Sequence, residues 1–255
     1  MNVDSSDPLL QVQRLSKRFG GVVASDGVDL QVRRGEVHAL IGPNGAGKTT
    51  LVAQLAGQLA PDAGRIVFDG VDITAWSAHQ RARRGLARSF QITRLFKSFT
   101  VLEHLALALQ AASGASWGAW RPLARDRSLW QRAHAQLSAL GLADHADALT
   151  HTLSHGQRRA LEVGMAVAAA PRLVLLDEPM AGMNVEEKQD MSRFILDVTD
   201  EFGTTIVLIE HDMSVVMDIS DRVVVLDYGK KIGDGTPAEV RANPDVISAY
   251  LGTSH

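Results

Sequence analysis

The stretch Gly42-Pro43-Asn44-Gly45-Ala46-Gly47-Lys48-Thr49-Thr50 constrains this 255-residue chain more than any other. It fits the pattern Gly, four residues, then Gly-Lys-Ser/Thr. It lies between an apolar strand-like run, Val37 to Ile41, and a helix-like run, Thr49 to Ala56. Closely spaced glycines permit a tight turn in which successive N–H groups point inward, a geometry suited to phosphate oxygens. The following helix turns its positive N-terminal end toward the same cradle. Lys48 is expected to reach the β- and γ-phosphates of a nucleotide, and the Thr49 hydroxyl to hold Mg²⁺. A strand–loop–helix unit of this kind belongs in an α/β fold.

Composition removes several alternatives. A formal net charge of -3 gives no electrostatic case for nucleic-acid binding, so no nucleic-acid partner is expected. The absence of cysteine excludes disulfides and thiolate metal sites, and the nine histidines show no His-Glu-x-x-His spacing. The start, Met1 to Pro8, is polar and acidic, unlike a signal peptide. No apolar run reaches the roughly 18 residues a membrane span needs, and the longest, Val163 to Leu176, is broken by Pro171 and Arg172. The chain reads as cytoplasmic, with any membrane role peripheral and through a partner.

Along the chain, Leu9 to Leu30 holds two alternating apolar segments with Lys17 to Gly21 as the turn between them, which predicts an antiparallel sheet before the loop. Arg65 to Phe68 reads as a further strand, ended by Asp69-Gly70. From Ser77 to about Ala170 the pattern is mostly helical. Thr100-Val101-Leu102-Glu103 matches a capping box that opens a helix over Leu102 to Leu109, and 111–127 reads as a connection or insertion. Continuous apolar runs at Leu173–Leu176 and Thr205–Ile209 predict parallel strands covered on both faces. Arg222 to Leu226 and Lys231-Ile232 complete the sheet, and Thr236 to Leu251 reads as short helices.

Leu173 to Leu176 runs directly into Asp177-Glu178. Carboxylates at the C-terminal end of a buried strand stand at the edge where α/β sheets bind ligands. Asp177 is expected to support Mg²⁺, and Glu178 to polarise water for attack on a γ-phosphate. Gln91 closes a strand-like Ala87 to Phe90, and His211 follows the strand ending at Ile209. Taken alone, either is ordinary polar surface. Arg81, Arg83, Arg84 and Arg88 form a basic cluster ahead of Gln91, read either as a solvated helix face or as a contact to a partner or lipid headgroups.

Leu153-Ser154-His155-Gly156-Gln157 resembles the Leu-Ser-Gly-Gly-Gln signature of the ATP-binding-cassette (ABC) ATPases, with His155 in place of a glycine. With the phosphate loop, Gln91, Asp177-Glu178 and His211 in the family's order, the resemblance spans nearly the whole chain. It implies a single ABC domain: a P-loop (RecA-like) core with a mostly parallel sheet over 1–90 and 171–255, an N-terminal antiparallel β subdomain, and a helical subdomain over about 92–170. It further implies that Phe19 stacks on adenine, where a packed edge-strand aromatic is the competing reading. Ser154, Gly156 and Gln157 would face ATP held by a second ATPase subunit. Gln91 would touch Mg²⁺ and the attacking water and sense a transmembrane partner, and His211 would contact the γ-phosphate. Ala181-Gly182-Met183-Asn184 occupies the place of the family's Ser-Ala-Leu-Asp loop, with Asn184 for the aspartate.

The segments Ser89 to Phe96, Leu208 to Met213 and Gly235 to Gly252 look like the ATPases of branched-chain amino-acid importers. The resemblance implies ATP and Mg²⁺ as cofactors, permease subunits and a periplasmic or extracellular solute-binding protein as partners, and a place at the cytoplasmic face of the membrane. Urea, amides and aromatic acids are the alternative cargoes. A nucleotide-sensing module without transport is the alternative of another class. Repair-type cassettes need a long coiled-coil insertion, and a GTPase would offer Asn-Lys-x-Asp, where no asparagine here precedes a lysine.

Overall fold

The computed structural model describes residues 7–89, 95–112, 126–168 and 170–251. Two sheets organise it. The first is antiparallel, in the order β2-β1-β4-β5, built from β1 (Leu10–Phe19), β2 (Val22–Val32), β4 (Ala63–Phe68) and β5 (Val71–Asp72). The second, in the order β10-β9-β3-β8-β7-β6, contains β3 (Val37–Ile41), β6 (Leu86–Arg88), β7 (Leu173–Asp177), β8 (Thr205–Ile209), β9 (Arg222–Asp227) and β10 (Lys230–Gly235). Strands β9, β3, β8, β7 and β6 run parallel, and among the described residues only β10 pairs antiparallel in this sheet, to β9.

The parallel strands are apolar at nearly every position because both faces are covered. Alternate residues feed two different cores. Val37, Ala39 and Ile41 of β3, with Val174 and Leu176 of β7, join the helical side. Leu40, Leu173, Leu175, Val207 and Ile209 join α1 (Lys48–Leu55) and the antiparallel sheet. The helices α3 (Val101–Ala112), α4 (Arg127–Ala139) and α5 (His155–Val167) share the first core with the sheet and with α6 (Val185–Phe202) and α7 (Met213–Ile219). Leu105, Leu137 and Leu161 belong to the same apolar cluster as Val174 and Ile206, so the packing of these helices is continuous with the sheet. α2 (Ala78–Arg83) precedes β6, and α8 (Pro237–Arg241) and α9 (Pro244–Leu251) close the chain.

Local signals in the sequence do their expected work. Thr100 N–H donates to Glu103 Oε2 at 2.7 Å and Glu103 N–H to Thr100 Oγ1 at 3.1 Å, the reciprocal capping box. The helix it opens runs on to Ala112, beyond the expected Leu109. The β1–β2 turn is shorter than the sequence suggested. Phe19 pairs with Val22, so Gly20-Gly21 alone makes the hairpin connection, as two glycines permit. The 111–127 connection falls mostly outside the described residues, as do Phe90 and Gln91.

The basic cluster before Gln91 is neither a solvated face nor an exposed contact at two of its four positions. Arg81 is 1% exposed. Its guanidinium donates to the main-chain carbonyls of Gln54 and Leu55 at 2.7 Å and of Thr74 and Trp76 at 3.1 Å. It thereby supplies a donor to Leu55 O and a second donor to Gln54 O, which also accepts Gly57 N–H at 3.1 Å, at the negative end of that helix. Arg88 turns inward to Asp177 and Gln58. Arg83 and Arg84 are exposed.

Candidate active site

Because β3, β8 and β7 are parallel neighbours, their C-terminal ends lie on one edge of the sheet. Leu40 and Asp177 are both in register with Ile209. The turns after these strands therefore bring Gly42–Thr50, Glu210-His211 and Asp177-Glu178 to the same place, although they lie far apart in the chain. This is the edge where open α/β sheets bind ligands.

The phosphate loop wraps from β3 into α1. Gly47 is the N-cap of α1 at φ +100 and supplies no side-chain cap, so the first N–H groups of the helix remain available. A methyl group there would also run into the carbonyl oxygen of Ala24 in β2. Gly45 and Thr49 are exposed, whereas Ala46 and Lys48 are buried. Lys48 Nζ lies inside the loop, donating to the carbonyls of Gly42 and Pro43 at 2.7 and 2.9 Å. Burial pulls its ammonium below the ordinary lysine range, while the carboxylates of Glu178 and Asp177 push the other way. The loop is braced from outside: Gly229 N–H, in the β9–β10 turn, donates to Ala46 O at 2.9 Å.

Asp177 is fully buried. Its Oδ2 accepts from Arg88 at 2.9 Å, and its Oδ1 has no hydrogen-bond partner among the described residues. A buried carboxylate oxygen without a protein donor is suited to a cation or an ordered water. Together with the exposed Thr49 hydroxyl, this donor set fits Mg²⁺, a hard cation that prefers oxygen. Glu178 follows at φ +50, a left-handed conformation that a glutamate adopts only when its surroundings hold it there. The restraints are visible. Glu178 N–H donates to Ile209 O at 3.0 Å, and Arg159 of α5 donates to the Asp177 carbonyl and, at 3.3 Å, to that of Glu178. The Glu178 carboxylate meets His211 Nε2 at 2.9 Å. His211 is held in turn by Glu210, a buried carboxylate that accepts from Met180 N–H at 2.9 Å and His211 N–H at 3.1 Å.

The signature residues sit elsewhere. Ser154 is the N-cap of α5: its Oγ accepts from Gln157 N–H at 3.1 Å, and Gln157 Oε1 accepts from Ser154 N–H at 2.9 Å. The Gln157 amide also meets His145 at 2.7 Å, and Ser154 Oγ donates to Glu187 Oε1 at 3.2 Å. Among the described residues, these partners belong to the start of α6 and the 143–145 turn, not to the phosphate loop. Asn184 is the N-cap of α6, accepting from Glu187 N–H at 2.9 Å. Phe19 is 50% exposed, with the Lys17 ammonium 5.7 Å from its ring centroid, so it is not a packed core aromatic. Gln91 lies outside the described residues.

Sequence reasoning missed Arg159, Glu187 and Glu210, and placed Arg88 only in a basic cluster. Arg88 ends β6 and Glu210 directly follows β8, and a charged residue at the end of a short strand is a usable signal. Glu187 stands at capping-box spacing from Asn184, which marks its helix-capping part but not its contact with Ser154, and nothing local marked Arg159.

A strand-edge site with a phosphate loop, a buried carboxylate and a Glu–His pair defines a P-loop ATPase. The chain belongs to the ABC transporter family of ATPases: residues 25–181 match the family described as ABC transporter, and residues 230–255 that described as branched-chain amino acid ATP-binding cassette transporter. It is 41% identical over 252 residues to the high-affinity branched-chain amino acid transport ATP-binding protein BraF of Pseudomonas aeruginosa, covering 97% of this chain and 99% of that one. It is 40% identical over 97% of its length to LivG, the protein of the same description in Escherichia coli K12. Among solved structures it resembles the ADP conformation of MJ1267, an ATP-binding cassette of an ABC transporter. The TM-score there is 0.83 at 31% identity, covering 97% of this chain and all of that one. The cbiO1 subunit from Clostridium perfringens gives a TM-score of 0.79 at 28% identity, covering 98% of this chain and 96% of that one.

Proposed function

We propose that this chain is the ATP-hydrolysing subunit of an importer for branched-chain or other hydrophobic amino acids, working beneath separate permease subunits. The observation that carries the chemistry is the Glu178–His211 pair on the strand edge that bears the phosphate loop. The full-length similarity to BraF and LivG supports the cargo.

The loop amides, Lys48 and the N-terminus of α1 bind the phosphates, and the exposed Phe19 ring offers a face for adenine. Thr49, Asp177 and Gln91 would hold Mg²⁺, which supplies charge neutralisation at the phosphates when bound. Glu178 accepts a proton from the attacking water as its oxygen bonds to the γ-phosphorus and ADP leaves. His211 Nε2 fixes the orientation of the glutamate that does so. Ser154, Gly156 and Gln157, away from their own loop, serve the ATP of a second ATPase subunit, so two subunits sandwich two nucleotides. ATP then touches both halves only when they are closed, which shifts the population toward closure and moves the permeases. No described helix is long and apolar enough to cross a membrane, which fits attachment to the cytoplasmic face through the permeases, with an external binding protein delivering solute.

Glu178→Gln is expected to keep ATP binding and to slow hydrolysis by about 100-fold or more, the scale of a lost general base. Near-normal turnover of this variant in the assembled transporter would remove Glu178 from the role. Co-purification with permease subunits and ATP-dependent leucine uptake in proteoliposomes test the transport reading.

A further inference from the structure

The starts of α5 and α6 are joined by one side chain. Glu187 is the third residue of α6, and its Oε2 accepts from Asn184 N–H at 2.9 Å to complete that helix's capping box. Its Oε1 accepts from the Ser154 hydroxyl at 3.2 Å. The carboxylate also lies over the first turn of α5: a Cβ built on Gly156 would stand 2.6 Å from the Glu187 carboxyl carbon. A side chain at position 156 would therefore expel the carboxylate, which gives the glycine a reason of its own.

We propose that Glu187 is a positioning residue that holds the Ser154 hydroxyl in the free subunit and hands it over when the ATP sandwich closes. This rests on the reading above, that Ser154 serves the nucleotide of the opposite subunit. A serine hydroxyl has one proton. Here it is donated to Glu187, while the oxygen accepts the Gln157 N–H. The same proton cannot be given to a γ-phosphate until the carboxylate lets it go. The carboxylate also occupies the positive end of α5, where an arriving phosphate would meet a like charge. Its second oxygen stays tied to Asn184, so α6 holds the competitor in place. Glu187 thereby raises the ATP concentration at which two subunits close.

Glu187→Gln isolates the charge, because glutamine serves equally well in a capping box. In the Glu178→Gln background, ATP-driven dimerisation is followed by size-exclusion chromatography with light scattering across an ATP titration. The expected result is half-dimerisation at about two- to fivefold lower ATP, the scale of one partly exposed charge at a helix end. An unchanged or higher ATP requirement overturns the proposal, since a purely structural Glu187 would weaken closure when altered. Ser154→Ala removes the contested proton. The Glu187→Gln gain is expected to shrink in that background, and a gain of full size there overturns the handover. A Glu178→Gln parent that stays monomeric at every ATP concentration overturns the sandwich itself, and this role with it.

Discussion

Replacing Arg81 by Met would leave four main-chain carbonyls without the cation that joins them. Two of them, Gln54 O and Leu55 O at 2.7 Å, belong to the last turn of α1, the helix whose other end carries Lys48 and Thr49. A buried acceptor left unpaired costs about 1–3 kcal/mol. Leu55 O and the two acceptors at 3.1 Å would lose this donor, whereas Gln54 O keeps Gly57 N–H at 3.1 Å; the summed losses exceed the net effect, because Met no longer requires a charge to be buried. That charge is expensive here: burial alone pulls the Arg81 guanidinium down to about 10. The expected net loss is about 3–5 kcal/mol, a large share of a typical domain stability of roughly 5–15 kcal/mol. Urea unfolding followed by circular dichroism measures it. Arg81→Lys keeps a cation but not the planar fork, so it is expected to recover about half of the loss. A loss below about 1 kcal/mol for Met, or full recovery with Lys, would refute the claim that this guanidinium is the cap of α1.

His104 gives a prediction about pH. Its Nε2 accepts from Phe96 N–H at 2.9 Å and its Nδ1 meets Thr100 O at 2.9 Å, so the buried ring is neutral with its proton on Nδ1. Burial lowers its pKa, outweighing the Thr100 carbonyl and Glu103. The unfolded chain therefore takes up the proton first as pH falls below 6.5. The stability that the neutral ring contributes is present above 6.5 and is lost as pH drops toward the lower folded value. His104→Gln is expected to flatten the fall in urea midpoint between about pH 7.5 and 5.5, and an unchanged slope would count against the assignment. Phe19→Ala is expected to weaken ATP binding about tenfold, as loss of one base–aromatic stack implies, and to leave inorganic triphosphate binding unchanged. Equal losses for both ligands would show that the ring does not face the base. Gly47→Ala combines a left-handed φ of +100 with a collision at Ala24 O. It is expected to abolish thermal stabilisation by ATP, and normal stabilisation would contradict the tight-loop argument.

The phosphate loop was legible because its whole signal is local. Glycines, a lysine and a hydroxyl within nine residues, between an apolar strand and a helix, dictate one backbone path. The strands β7 and β8 were legible for a similar reason, since burial on both faces leaves an unbroken apolar run. Capping boxes at Thr100, Ser154, Asn184 and Thr236 are likewise written in four-residue patterns. Arg81 and Arg88 were misread because composition sees only four nearby positive charges. Whether an arginine is solvated or buried depends on groups that the fold brings to it: Arg81 bonds a carbonyl 27 residues away, and Arg88 a carboxylate 89 residues away.

The sequence by itself therefore determined which atoms are available to hold a phosphate and which strands are buried, because both depend on neighbours within one turn or one strand. Only the tertiary structure decided what those atoms do to one another. Parallel register brought His211 to Glu178. Burial left one oxygen of Asp177 without a donor among the described residues. The meeting of two helix starts placed Glu187 on Ser154. Each of these is a relation between residues distant in the chain, whose energy comes from desolvation and hydrogen-bond geometry that exist only once the sheet and helices have assembled.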